Sequence, residues 1–188
     1  MLHIVSSVQT NRMGVVNDDT QTVLIPLEYK NIIFQKHGIV AEDFNSMSSA
    51  FSFDGHKIIS QAKNILFLNN NYMLAASTEG KTFVFNYATG ERLNQTPFDA
   101  VLVFIGSSQQ AQLYNGVMNL LPIFNSTDYN TYGAHIEDLL CAQINLKWGV
   151  FNIQTKTIQA PFMYPHMVQC TQGRIAVRDP QSGGTLML

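Results

Sequence analysis

Apolar residues in this chain come in short runs, each closed by a cluster of amide, acidic or glycine residues. Met13 to Asn17 reads as one strand, Asp18-Asp19-Thr20 as its turn, and Thr22 to Ile25, rich in β-branched residues, as the return strand. Pro26 has no N–H to donate and is expected to end that ladder. Ile32-Ile33-Phe34 and Ile39-Val40-Ala41 then flank Gln35-Lys36-His37-Gly38, where the glycine is expected to take the positive φ of a hairpin turn. The hairpin recurs from Ile65 to Ala76 around Asn69-Asn70-Asn71, and again from Val168 to Val177 around Thr171-Gln172-Gly173. No segment sustains a 3.6-residue apolar stripe over three turns, so the pattern predicts an all-β fold of short antiparallel strands.

The strands belong to a repeat. Counting from Gly149, Asn152 falls at position 3, Pro161 at 12, Tyr164 at 15 and Gly173 at 24; counting from Gly14, Asn17, Pro26, Tyr29 and Gly38 fall at the same offsets. Fainter copies keep the phase: FSFD ending at Asp54, FVFN at Asn86 and GVMN at Asn119 lie between GVVN (Asn17) and GVFN (Asn152), with steps of 37, 32, 33 and 33 residues. A fixed period of this size signals repeat architecture. The reading is a single β-repeat domain over 1–188, with five repeats at roughly 12–45, 46–80, 81–113, 114–146 and 147–178. They could curl into a closed propeller-like or barrel-like body or stack as a twisted open array. Leu2 to Ser6 and Gly184 to Leu188 read as partial repeats at the two ends, as end-capping or closure would require.

Lys147-Trp148-Gly149-Val150-Phe151-Asn152, followed by Pro161, Tyr164 and Gly173-Arg174-Ile175-Ala176-Val177, resembles the WG β-repeat family. The fifth repeat matches well; the first has Met13 in place of the tryptophan, and repeats two to four keep only the period and the apolar-apolar-Asn/Asp beat. The resemblance implies a β-repeat protein with a binding role, and it carries over no catalytic residues. Within such a repeat Trp148 is expected to plug the core. Gly14 and Gly149 are expected to allow close backbone approach or a turn, and Tyr29 and Tyr164 to pack strand corners.

The 46% hydrophobic and 11% aromatic content excludes a disordered chain. A net charge of −2, with eleven Lys and Arg spread evenly, supplies no field for a phosphate backbone. Charged residues make up only 13%, and 16 Asn with 14 Gln take their place, giving a polar but weakly charged, adhesive surface. The N-terminal residues show no signal-peptide pattern and no apolar run could span a bilayer, so a cytoplasmic location without membrane association is expected. Cys141 and Cys170 both sit in apolar strand-like segments, which suits buried thiols in a reducing compartment, with a disulfide as the alternative.

Catalytic signatures are missing from the sequence. His3, His37, His56, His135 and His166 have no partners at metal-ligand spacing; the nearest approach, His135-Ile136-Glu137-Asp138, reads as a solvated loop edge. Gly106-Ser107-Ser108 lacks the frame of a nucleophile elbow, and there is no phosphate-binding glycine loop. No cofactor is expected. Function in a repeat scaffold falls where the pattern breaks. Two stretches qualify: Glu42 to Ser49, and Asn125 to Asp138, where Asp128, Tyr129, Tyr132, His135, Glu137 and Asp138 cluster. These six are the candidate partner-binding residues. The resulting expectation is a non-catalytic protein-binding module, most specifically a bacterial immunity protein that blocks a cognate toxin. The alternatives are a structural or adaptor WG-repeat scaffold and a small-molecule-binding propeller-like domain.

Overall fold

A computed structural model describes all residues except 69–70, 105–110, 115–120, 123–138, 172–173 and 188. Among the described residues there is no helix, and every strand pairing is antiparallel. The chain divides into two compact units, one of residues 1–78 and 85–92, the other of 79–84 and 93–188.

In the first unit, β1 (Leu2–Ser7), β2 (Arg12–Asn17) and β3 (Thr22–Tyr29) form a three-stranded sheet in chain order. β4 (Asn31–Gln35), β5 (Gly38–Glu42), β6 (Ser48–Phe51) and β7 (Lys57–Ala62) form a four-stranded meander, the sheet from which propeller blades are made. β8 (Asn64–Phe67), β9 (Tyr72–Ala76) and β10 (Thr82–Asn86) follow as a third sheet, and the residues of β10 divide between the two units. The second unit contains β11 (Ala100–Phe104), β12 (Ala111–Tyr114), β13 (Leu121–Pro122), β14 (Leu139–Ile144), β15 (Lys147–Asn152) and β16 (Thr157–Tyr164) in one sheet of order β13-β12-β11-β14-β15-β16. β17 (Met167–Thr171), β18 (Arg174–Arg178) and β19 (Thr185–Met187) form the last sheet.

The repeat seen in the sequence is a hairpin with two bulges. β2 pairs with β3 through Met13↔Tyr29, Val15↔Ile25, Val16↔Val23 and Asn17↔Thr22, with register shifts on both sides of Val15. β15 pairs with β16 through Trp148↔Tyr164, Val150↔Ala160, Phe151↔Ile158 and Asn152↔Thr157, with the shifts on both sides of Val150. Between β6 and β7 the pattern returns as Ser48↔Ala62, Ala50↔Ile59 and Phe51↔Lys57. In the third repeat it is reduced to the bridges Thr82↔Phe98 and Phe85↔Arg92. There the middle rung is made in part by a side chain: buried Asn94 accepts the N–H of Val84 at 2.8 Å and donates to the carbonyl of Thr96 at 2.9 Å, while the Val84 carbonyl accepts the backbone N–H of Leu93 at 2.8 Å. The residue between the two bulges is buried every time: Val15, Ala50, Val84 and Val150. These four are the described copies; Asn119 of the remaining sequence repeat lies outside the described residues.

Several expectations change on this frame. The strand-ending polar residue of the second repeat is Ser52, because the register aligns Phe51 with Val16. Asp54 lies two residues further on, inside the turn. Asn17, Ser52, Asn86 and Asn152 do the same work: each accepts a backbone N–H from the following turn, at 3.0, 3.1, 2.9 and 2.9 Å. Pro26 does not end its strand. It lies within the eight residues of β3, as Pro161 lies within β16, each at a bulge on the edge of a sheet where no N–H is required. Gly38 is not at positive φ; it starts β5, paired with Gln35. An added Cβ there would stand 2.5 Å from the Phe67 ring, so the glycine serves close packing. Gly14 and Gly149 serve the same end, their missing Cβ atoms falling 2.5 Å from the Ile25 carbonyl and 2.9 Å from the Ala160 carbonyl. Trp148 packs only partly buried at the margin of its core, as its counterpart Met13 does.

The cores lie between sheets. In the first unit Val15, Ile25 and Tyr29 meet Ile32, Ile39, Ala41 and Phe51, and Val40, Ala50 and Ala62 meet Ile65, Phe67, Met73 and Ala75. β5 and β6 are therefore covered on both faces, which explains why they read as continuous apolar or small-residue runs. Tyr29 and Phe51 pack edge to face at 5.7 Å, and the Lys57 ammonium lies 5.3 Å from the Phe51 ring centre. The second unit packs Leu102, Cys141, Val150, Ala160 and Tyr164 together, with Phe98 set against Phe151 and Phe162.

Candidate functional site

By their pairing, β4–β5, β8–β9, β17–β18 and β11–β14 are equivalent strand pairs, and the connection within the pair is short in three of the four. It consists of Lys36 and His37 between β4 and β5, of residues 68–71 between β8 and β9, and of residues 172–173 between β17 and β18. In the fourth, β11 pairs with β14 through Ala100↔Gln143 and Val101↔Ala142, and the whole of residues 105–138 lies between them. Within this insertion β12 and β13 extend the sheet beyond β11. The six candidate residues Asp128, Tyr129, Tyr132, His135, Glu137 and Asp138 all belong to the insertion and lie outside the described residues.

Asp99 clamps the start of β11 to the turn between β14 and β15. Its backbone N–H donates to the Gln143 carbonyl at 2.8 Å, and its carboxylate accepts the N–H of Asn145 at 2.6 Å and pairs with Lys81. Asn145 and Leu146 both have positive φ, 51° and 61°, the geometry of a type I′ turn between β14 and β15. Burial pushes the Asp99 carboxyl up, but Lys81 and the Asn145 N–H more than offset this and hold it below the usual carboxylate range. A carboxyl lowered on folding stabilises the fold above its unfolded pKa, and that contribution is lost as pH falls through about 4 and below. Asp99→Ala is expected to destabilise the protein by about 1–2 kcal/mol at neutral pH. Urea titrations at pH 7 and pH 3.5 should show the difference between variant and parent shrinking at the lower pH.

The other sequence candidate, Glu42 to Ser49, is the end of β5, a closed turn over residues 43–47 and the start of β6. The Asp43 carboxylate accepts the N–H groups of Asn45 and Met47 at 2.8 and 2.9 Å, Ser46 takes a φ of 59°, and Phe44 is left exposed. Ser52, Asp54 and His56 bring together the residue types of a hydrolytic triad, but as turn chemistry. The serine hydroxyl contacts the aspartate and accepts the histidine's backbone N–H, and the hydrogen bond from Ser52 holds the exposed Asp54 carboxyl low. Among the described residues no group of three His, Cys, Asp or Glu side chains could hold a metal ion, and no helix is long and apolar enough to cross a membrane.

Two structural features leave no mark in the sequence pattern. Asn94 is one amide among many along the chain, and its burial shows that its side chain takes the place of a backbone acceptor for Val84. Gln35 reaches from β4 to the next sheet, donating to the Ile65 carbonyl at 3.2 Å and accepting the Phe67 N–H at 3.1 Å, so one side chain covers the edge of β8.

No protein-family model matches the chain, and no curated protein matches it. Among solved structures it is similar to the computationally designed Ika4 protein, at 11% identity over 84% of this chain and 88% of that one, with a TM-score of 0.39. It is similar also to BamB from Moraxella catarrhalis (10% identity, 98% and 60% of the two chains, TM-score 0.38). A third is the C-terminal WD40 domain of Sif2 (12%, 94% and 63%, TM-score 0.34).

Proposed function

We propose that this protein is a non-catalytic protein-binding module of the WG β-repeat type, and that the insertion at residues 105–138 carries its partner contacts. One observation supports this most directly: a scaffold that joins equivalent strands with two to four residues elsewhere interrupts one pair with a long segment. Insertions in repeat proteins are tolerated where they leave the shared packing untouched, and binding surfaces are built there. The residues in this one suit a protein interface. Tyr129 and Tyr132 are large amphipathic anchors, and Asp128, Glu137 and Asp138 complement a basic surface and speed association.

More specifically, the partner we propose is a cognate toxin, blocked by occlusion of a basic cleft, with the protein acting as a cytoplasmic bacterial immunity protein. Co-expression with the product of the adjacent gene tests this. A complex stable at micromolar concentration is expected, and the Tyr129→Ala/Tyr132→Ala variant should weaken it by about 10- to 100-fold. A complex that tolerates replacement of residues 123–138 by a Gly-Ser linker would remove the insertion from the interface. No association with any adjacent gene product would favour the adaptor role over immunity.

A further inference from the structure

We propose that the Asp54–Gly55 bond is a latent isomerisation site, and that Ser52 is the positioning residue that holds it closed. The inference concerns the first unit alone and does not depend on the role given to the insertion. Aspartate is followed by glycine at this one place in the sequence. The Gly55 nitrogen attacks the carboxyl carbon of the Asp54 side chain, the new C–N bond closes a succinimide ring, and one water leaves. Hydrolysis returns that water at either carbonyl of the ring and gives aspartate or isoaspartate, with nothing oxidised or reduced. A glycine has no Cβ to crowd the attacking nitrogen, which makes this pair the most reactive of the aspartyl bonds.

Exposure favours the reaction and the turn opposes it. Asp54 is exposed between β6 and β7, so water reaches its carboxyl freely. The Gly55 N–H, however, donates to the Ser52 carbonyl at 3.1 Å. The Asp54 carboxylate accepts the Ser52 hydroxyl, and its Oδ1 lies 3.4 Å from the His56 backbone nitrogen. The same hydroxyl accepts the His56 N–H at 3.1 Å, and the Ser52 N–H donates to the His56 carbonyl at 3.0 Å. Ser52 thus holds the nucleophile with its backbone and the electrophile with its side chain. The reactive form of the carboxyl is the neutral acid, from which water can leave. The Ser52 hydrogen bond, followed by that of the His56 N–H, outweighs burial and favours the unreactive carboxylate.

A sister turn shows what the closed form protects. Gly55 and Gly90 end their turns at positive φ, 88° and 69°, and each lies against the last strand of the preceding sheet. An added Cβ would stand 2.8 Å from the Leu24 carbonyl oxygen at Gly55 and 2.8 Å from the Ile58 carbonyl oxygen at Gly90. Leu24 and Ile58 are the same position, each one residue before the partner of Val15 or Ala50. Isoaspartate carries the main chain through its own β-carbon and so inserts a methylene just before Gly55, where no space exists for a Cβ. Isomerisation of Asp54 therefore parts the β6–β7 turn from β3 and loosens the contact between the first two sheets.

The test stores the full chain, its Ser52→Ala and Ser52→Thr variants and a synthetic, end-capped peptide of residues 48–60 in one mildly acidic buffer, below the parent's melting temperature. Chromatographic peptide mapping follows isoaspartate at residue 54. The parent is expected to isomerise at least about tenfold more slowly than the peptide, because reaction waits on local opening of the turn. Ser52→Ala should be about fivefold or more faster than the parent, and Ser52→Thr, which keeps the hydroxyl, within about twofold of it. Ser52→Cys keeps the size of the side chain and is a weak donor; it replaces Ser52→Ala if that variant fails to fold, with the same acceleration expected. The proposal is overturned if the folded parent isomerises as fast as the peptide, or if the variant lacking the hydroxyl is no faster than the parent. It is overturned also if Ser52→Thr is as fast as that variant, since the hydroxyl then does not hold the site closed.

Discussion

Replacing Phe98 by alanine is expected to destabilise the protein by about 3–5 kcal/mol, the range for removing a buried aromatic ring from a tightly packed core. Phe98 is the largest of the fully buried side chains among the described residues. It packs edge to face against Phe151 at 5.6 Å and stacked on Phe162 at 5.8 Å, so its loss opens a cavity between two other rings. Its backbone also closes the third repeat, exchanging hydrogen bonds with Thr82 at 2.8 and 2.9 Å. The backbone bonds survive the substitution and the ring contacts do not, so Phe98→Leu should recover much of the loss. Denaturant titration of the three proteins measures this; a cost for Phe98→Ala below about 1 kcal/mol would show that the site collapses around the missing ring.

The second large effect is expected at Gly14. An alanine Cβ there would lie 2.5 Å from the Ile25 carbonyl oxygen and 3.0 Å from backbone atoms of Pro26 and Leu27. All three obstacles are main-chain atoms of the bulged strand, so relief requires the hairpin itself to move, and Gly14→Ala should cost about 2–3 kcal/mol. Gly149→Ala meets the Ala160 carbonyl at 2.9 Å and the Phe162 ring at 2.8 Å. The ring can turn aside, so a smaller loss is expected. Gly184 faces only the Ser182 hydroxyl, at 3.3 Å, and its alanine variant should lie within about 0.5 kcal/mol of the parent. Melting temperatures in the order Gly184→Ala, Gly149→Ala, Gly14→Ala, highest first, would verify the reading. Equal values would sink the account of these glycines as close-packing residues.

The glycine and proline spacing that first marked the repeat therefore has one physical origin. A double bulge brings two backbones too close for a Cβ at Gly14 and Gly149. It also frees the edge residues at Pro26 and Pro161 from needing an N–H. The second and third repeats reach the same register with other residues, Ser49 and Phe83 standing where the glycines would be, and their beat in the sequence is correspondingly faint. Asp54 closes the FSFD run in the sequence, yet the counterpart of Asn17 is Ser52, which accepts the same kind of turn N–H with a hydroxyl in place of an amide or carboxylate oxygen.

By itself the sequence determined the all-β class, the antiparallel hairpins, the period and the packing of Tyr29 and Tyr164, because all of these rest on local propensity and side-chain period. It also marks Asn125–Asp138 as the stretch where the proline of the repeat is missing. Tertiary structure decided what each departure means. Gly38 became a packing glycine because a ring from another sheet presses on it, and Trp148 proved marginal because Val150 and Tyr164 hold the centre. Asn94 became a stand-in for a backbone acceptor, and Gln35 the cover of the β8 edge, through neighbours distant along the chain. Local pattern records which residues prefer to be strands. Which residue packs and which bonds to a neighbouring strand depends on contacts between sheets, and those are absent from any window of sequence.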